Sequence, residues 1–223
     1  FSLGLRLLGR GGSKISFGVA SLYMKIQSLK NVNITVLFSA PLNHLLISPD
    51  KITKFFITGD PQKDGFNFIE APGVRVIIFP NQKKDVTFEP FRLIVSDRSG
   101  VDIEHSTIVS DFKKVFDTDL VDPSKMVAYG FNFDISVETE KGELVNIVGS
   151  KLLELPDAQV GGATVLFAKG GIKYVLDMKR INEKIYLVHL NVHFVTSVIP
   201  DIRLITRNIH LQFKELGNII QNL

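Results

Sequence analysis

The chain has 223 residues and 24.9 kDa, 45 % hydrophobic and 22 % charged, ordinary proportions that exclude a disordered, collagen-like or disulfide-scaffold protein. It contains no cysteine, so disulfides, thiolate nucleophiles and cysteine-ligated zinc are excluded. The formal net charge of +3 sits entirely in residues 1–23, because residues 24–223 balance 23 basic against 23 acidic residues.

Residues 1–23 carry Arg6, Arg10 and Lys14, no acidic residue, and several Gly and Ser. Three readings compete for this stretch. It is a targeting remnant, since those are basic and acid-poor, or sequence upstream of a natural start at Met24, or a basic arm that docks on the body or on a neighbouring subunit. After it, Val32–Ala40 alternates with period two and is β-branched, which predicts a strand. Residues 50–57 are expected to be helical after a Ser48-Pro49-Asp50 start. Phe66–Ala71 and Val74–Phe79 are predicted strands around a Pro72-Gly73 turn. Thr87–Ser96 is read as a third strand, with Pro90 marking an edge or bulge. Residues 104–117 place Ile108, Phe112, Val115 and Phe116 on one helical face. The second half predicts strand Val127–Glu138, helix Glu143–Leu153, hairpin Ala163–Ala168 with Ile172–Lys179, strand Ile185–Val195, and a closing helix over 201–221.

Sliding the chain against itself by 97 residues aligns these patterns. Ile34, Val36 and Phe38 fall on Phe131, Phe133 and Ile135, and Ile108, Phe112 and Phe116 fall on Ile205, Ile209 and Phe213. The expected class is therefore α+β: a tandem duplication of a β-α-β-β-β-α unit that forms a curved antiparallel sheet covered by helices on one face. Residues 24–120 and 121–223 are the expected repeats, together one pseudo-twofold domain. This element order resembles the TATA-box-binding-protein fold over about residues 32–221. The resemblance implies a fold and no function; a fused ferredoxin-like pair is the rival architecture.

Chemical motifs are sparse. His189, Asn191 and His193 share one face of a predicted strand, and form the candidate binding face. Four residues of strand separate the histidines by about 13 Å, too far for one metal. A solvent- or groove-facing polar row is the simpler reading. Lys83-Lys84 and Lys179-Arg180 flank corresponding hairpins and, with Arg6, Arg10 and Lys14, are the candidate basic contacts; nearby acids and the edge-guarding use of lysine favour a structural role. No P-loop, dinucleotide fingerprint or nucleophile elbow occurs, so no catalytic residue, cofactor or metal is assigned. No stretch reaches the ~18–20 apolar residues of a spanning helix, so a soluble protein of the cytoplasm or an organelle lumen is expected. The leading functional expectation is a non-enzymatic protein-interaction or assembly module, with self-association or a protein partner. Nucleic-acid binding through the sheet face or the arm, and a small-ligand or metal site, are the alternatives.

Overall fold

The computed structural model describes residues 24–43, 46–139 and 161–221. The arm with Arg6, Arg10 and Lys14, and the helix expected at Glu143–Leu153, lie outside the described residues. Nine strands follow in chain order: β1 (Met24–Phe38), β2 (Asn67–Ala71), β3 (Val74–Phe79), β4 (Lys84–Glu89), β5 (Arg92–Asp97), β6 (Met126–Thr139), β7 (Gly162–Lys169), β8 (Ile172–Arg180) and β9 (Ile185–Val195). Three helices, α1 (Pro49–Thr53), α2 (Ile108–Phe116) and α3 (Ile202–Gln221), interrupt or close them. The strands make one antiparallel curved sheet in the order β2-β3-β4-β5-β1-β6-β9-β8-β7. The architecture is α+β.

Alternation in the strands decides which side is buried. Ile34, Val36, Phe131, Phe133, Ile135, Leu190 and Val192 project to one face and are fully buried there. The apolar stripes of the helices close over that face, with Ile52 of α1, Phe112 and Val115 of α2, and Ile205, Ile209 and Leu216 of α3 joining one continuous core. Fully burying each such side chain contributes about 1.5–3 kcal/mol. Ring contacts lock the layers. Phe133 and Phe213 lie 5.5 Å apart between β6 and α3, and Phe56 stacks on Phe79 at 4.3 Å. Two polar clamps reinforce them. Lys84 on β4 binds Asp111 on α2 at 2.6 Å, and Tyr174 on β8 donates to Gln212 on α3 at 3.0 Å.

The stretch Thr87–Ser96 is two strands rather than one. Pro90 and Phe91 turn the chain between β4 and β5, which then pair with each other through Val86 and Val95. Proline has no N–H to give a ladder and suits a turn equally well. The first half therefore runs β-α-β-β-β-β-α. The 97-residue offset lays β1 on β6, β2 on β7, β3 on β8, β5 on β9 and α2 on α3, but β4 falls on the turn before β9. With the extra strand, β3 lies third from β1 while β8 lies second from β6. Their directions within their own halves are opposite as a result.

β1 begins at Met24, eight residues before its expected start. Its register against β6 shifts between Ile26 and Ser28 and again between Leu29 and Asn31. Each bulge adds a residue and breaks the period-two pattern locally. The pairing of β1 with β6 joins the two halves across the centre of the sheet. No helix of the described residues is long and apolar enough to cross a membrane.

Candidate binding face

The other side of the sheet has no helix among the described residues, and its central side chains are polar. Register explains how they meet. Asn33 on β1 lies opposite Asn132 on β6, which lies opposite Asn191 on β9. Asn191 Nδ2 donates to Asn132 Oδ1 at 2.6 Å, and Asn132 Nδ2 donates to Asn33 Oδ1 at 2.7 Å. Asn33 Oδ1 also accepts from Thr35 Oγ1 at 3.1 Å. The amides thus form a directed chain across three strands. Each neutral bond of this kind contributes about 0.5–1.5 kcal/mol.

A second row runs beside the first. Asn31, Asp134, His189 and Asp177 are consecutive partners on β1, β6, β9 and β8. His189 Nδ1 donates to Asp134 Oδ1 at 2.6 Å, Asn31 Nδ2 donates to Asp134 Oδ2 at 2.7 Å, and Thr164 Oγ1 donates to Asp177 Oδ1 at 2.8 Å. The bond to Asp134 raises the His189 pKa above that of free imidazole, against the opposing effect of burial, with Asp177 adding to the rise. Burial alone would push the Asp134 carboxyl up, but hydrogen bonds from His189 and Asn31 outweigh it and hold the pKa below its ordinary value. Lys30, Lys179 and Leu187 complete a concavity of about 300 Å³ around Asp134, Asp177 and His189.

Towards β4 the row of amides continues into a buried carboxylate. Asp85 is 3 % exposed. Burial raises its pKa, while Arg98 and the Ser96 and Thr87 hydroxyls pull the other way. Arg98 Nη2 lies 2.8 Å from Asp85 Oδ1. The margins of the face are aliphatic, with Ile78 and Ile69 on one side and Val175 and Leu166 on the other. The chain has 17 Phe and four Tyr, yet the registers place none of the described ones on the strands of this face.

His189, Asn191 and His193 do share the uncovered face, as the strand period requires. Only His189 and Asn191 join the bonded rows; His193 sits across from Gly130 and Lys173. Among the described residues no group of three His, Asp or Glu side chains is arranged to hold a metal. The basic candidates separate. Lys84 turns to the covered side and is held by Asp111, while Lys83 occupies the β3–β4 turn with φ of 54°. Lys179 reaches the concavity, and Arg180 Nε donates to the Asn182 carbonyl at 3.2 Å in the next turn. Asn33, Asn132, Asp134 and Asp85 were missed by sequence reasoning. Asn33, Asn132 and Asp134 sit at alternating positions of the expected strands Val32–Ala40 and Val127–Glu138, where the period was the available signal, whereas Asp85 precedes the expected strand Thr87–Ser96 and had none. A scan for models of known protein families and a search of curated proteins both return no match.

No serine hydroxyl bonds a histidine among the described residues, and the Ser106 hydroxyl is spent on Asp97 at 2.6 Å at the start of α2.

Proposed function

We propose that the protein is a non-enzymatic protein-interaction module that receives its partner on the uncovered sheet face. The observation that carries this reading is the pre-ordered polar centre, the amide chain Asn191–Asn132–Asn33 beside Asp134 and His189. Ordering these side chains before binding removes part of the entropy that association would otherwise cost. Charges of both signs, Arg98, Lys30 and Lys179 against Asp134 and Asp177, suit the mixed rim of a protein interface. The same mixture disfavours nucleic acid, which needs a run of uncompensated cations for phosphates and rings on which bases stack. A tandem duplication with an element order like that of the TATA-box-binding-protein fold belongs to the same reading. The central β1–β6 pairing supports it, as do the equivalent places of β5 beside β1 and β9 beside β6. The unmatched β4 counts against it.

The absence of native cysteine gives a clean test. A Val175→Cys variant carrying a photoreactive maleimide is expected to form a protein adduct in extracts of the cells that make it. The adduct should disappear when Asn132→Lys is added. An adduct that nuclease removes, or one that survives Asn132→Lys unchanged, overturns the reading.

A further inference from the structure

The two edges of the sheet differ in how they meet other chains. β2 is five residues long, its Glu70 is ion-paired with Arg75 of β3, and Pro72 follows it. These are the devices that blunt an edge. β7 is eight residues long, Gly162–Lys169, without proline. Its one charge, Lys169, lies at its end and is held by Glu215 of α3 at 2.7 Å. Leu166, in the middle, is 74 % exposed, more than any other large apolar side chain among the described residues.

The free backbone groups of β7 can be assigned. The Gly161 carbonyl accepts from the Arg180 N–H at 2.8 Å. Antiparallel ladders alternate bonded and outward-facing residues. The N–H and C=O groups of Gly162, Thr164, Leu166 and Ala168 therefore point away from β8, and no strand of the described residues lies beyond them.

We propose that β7 pairs antiparallel with β7 of a second copy of this chain, about a twofold axis through Leu166. Directly opposed residues in an antiparallel pair lie on the same face, so the axis must pass through a residue rather than between two. Leu166 satisfies this with outward groups, so the two copies of Leu166 exchange two backbone bonds while their side chains cover each other. Thr164 then lies opposite Ala168 of the second copy, and Val165 opposite its Phe167 on the helix side. Lys169 falls opposite Ala163, so no like charges meet. A second copy is the favoured occupant because the strand is self-complementary in this register. Joining β7 to β2 would instead add copies without end, and the short, ion-paired β2 opposes it. The inference rests on the backbone edge of β7 and not on the polar centre of the uncovered face, although Leu166 also borders that face.

Single cysteines at the two edges test it. Leu166→Cys is expected to give a covalent dimer with a short bis-maleimide, and Ile69→Cys on β2 is not. Sedimentation of the unmodified chain should approach the dimer mass with rising concentration. Leu166→Lys, at an exposed position, should weaken the dimer about tenfold or more and leave the melting temperature of the monomer unchanged. A monomer mass at all concentrations, or equal cross-linking through Ile69→Cys, overturns the proposal. The dimer should persist in the Asn132→Lys variant, whose substitution lies at the centre of the sheet and removes the Val175→Cys adduct, so either reading can fail without the other.

Discussion

On the covered face, Ile34, Phe131, Phe133 and Leu190 stack into one apolar core beneath the helices. On the open face, the alternate residues of the same strands bond one another sideways, Asn33 with Asn132 with Asn191, and Asp134 with Asn31 and His189. The backbone ladder is common to both. Burial of apolar area stabilises the first, and its strength is insensitive to direction. The second is held by directional bonds whose net contribution is small. The covered face thus sets stability, and the open face sets which groups are presented, and in what order.

Substitutions should separate the faces by size of effect. Phe133→Ala removes a ring that touches both Phe131 and Phe213, and should cost about 3–5 kcal/mol in denaturant unfolding. Gly130→Ala comes next. It lies on the open side, but a Cβ there would press on the Val192 carbonyl oxygen of β9. A loss of about 1–3 kcal/mol is expected, and an unchanged unfolding midpoint would refute the close approach.

Asp85 sharpens the comparison, because a buried charge on the polar side carries a cost. Its folded-state pKa is raised by burial. The folded protein therefore holds this proton more tightly than the unfolded chain, and stability falls as pH rises from the unfolded value through the folded one. Asp85→Asn should be neutral or stabilising at pH 7 and should flatten that part of the pH profile. Arg98→Ala should cost about 1–3 kcal/mol at pH 7, since it leaves the buried carboxylate without its cation.

The smallest effect belongs to His189 and Asp134. The raised His189 pKa contributes stability that is complete below the unfolded imidazole value and is lost as pH rises through the folded one. The lowered Asp134 pKa contributes stability present above the unfolded carboxyl value and lost as pH falls through the folded one. Both side chains are 41 % exposed, so solvent screening limits the pair to at most about 1 kcal/mol. His189→Gln should reduce the dependence of melting temperature on pH over that window. An identical profile would mean that the pair contributes nothing to folding.

Much of this contrast was written locally in the sequence. β3 and β9 match their expected limits because a β-branched apolar run in the first and alternation in the second coincide with turns at Pro72-Gly73 and at residues 181–184. The bulged start of β1 was hidden, since two inserted residues erase the period. Pro90 was ambiguous because the same residue fits a bulge and a turn. The rows of the open face were half visible. His189 and Asn191 declare their face by spacing, but Asp134 and Asn132 lie 55 and 59 residues away in sequence. Only the register of β6 against β9 brings them together.

The seam between β1 and β6 also sets an order of events on the ribosome. Both outer halves hang from these two long strands, and β6 takes its second neighbour, β9, only when residues 185–195 have been made. Translation at about 5–20 residues per second leaves roughly 3–11 s between the end of β6 and the end of β9. During that interval the nascent chain carries a long, aromatic-rich strand with one side unmatched. Fast elongation, or a chaperone that shields Tyr129, Phe131 and Phe133, should therefore raise the yield of native protein.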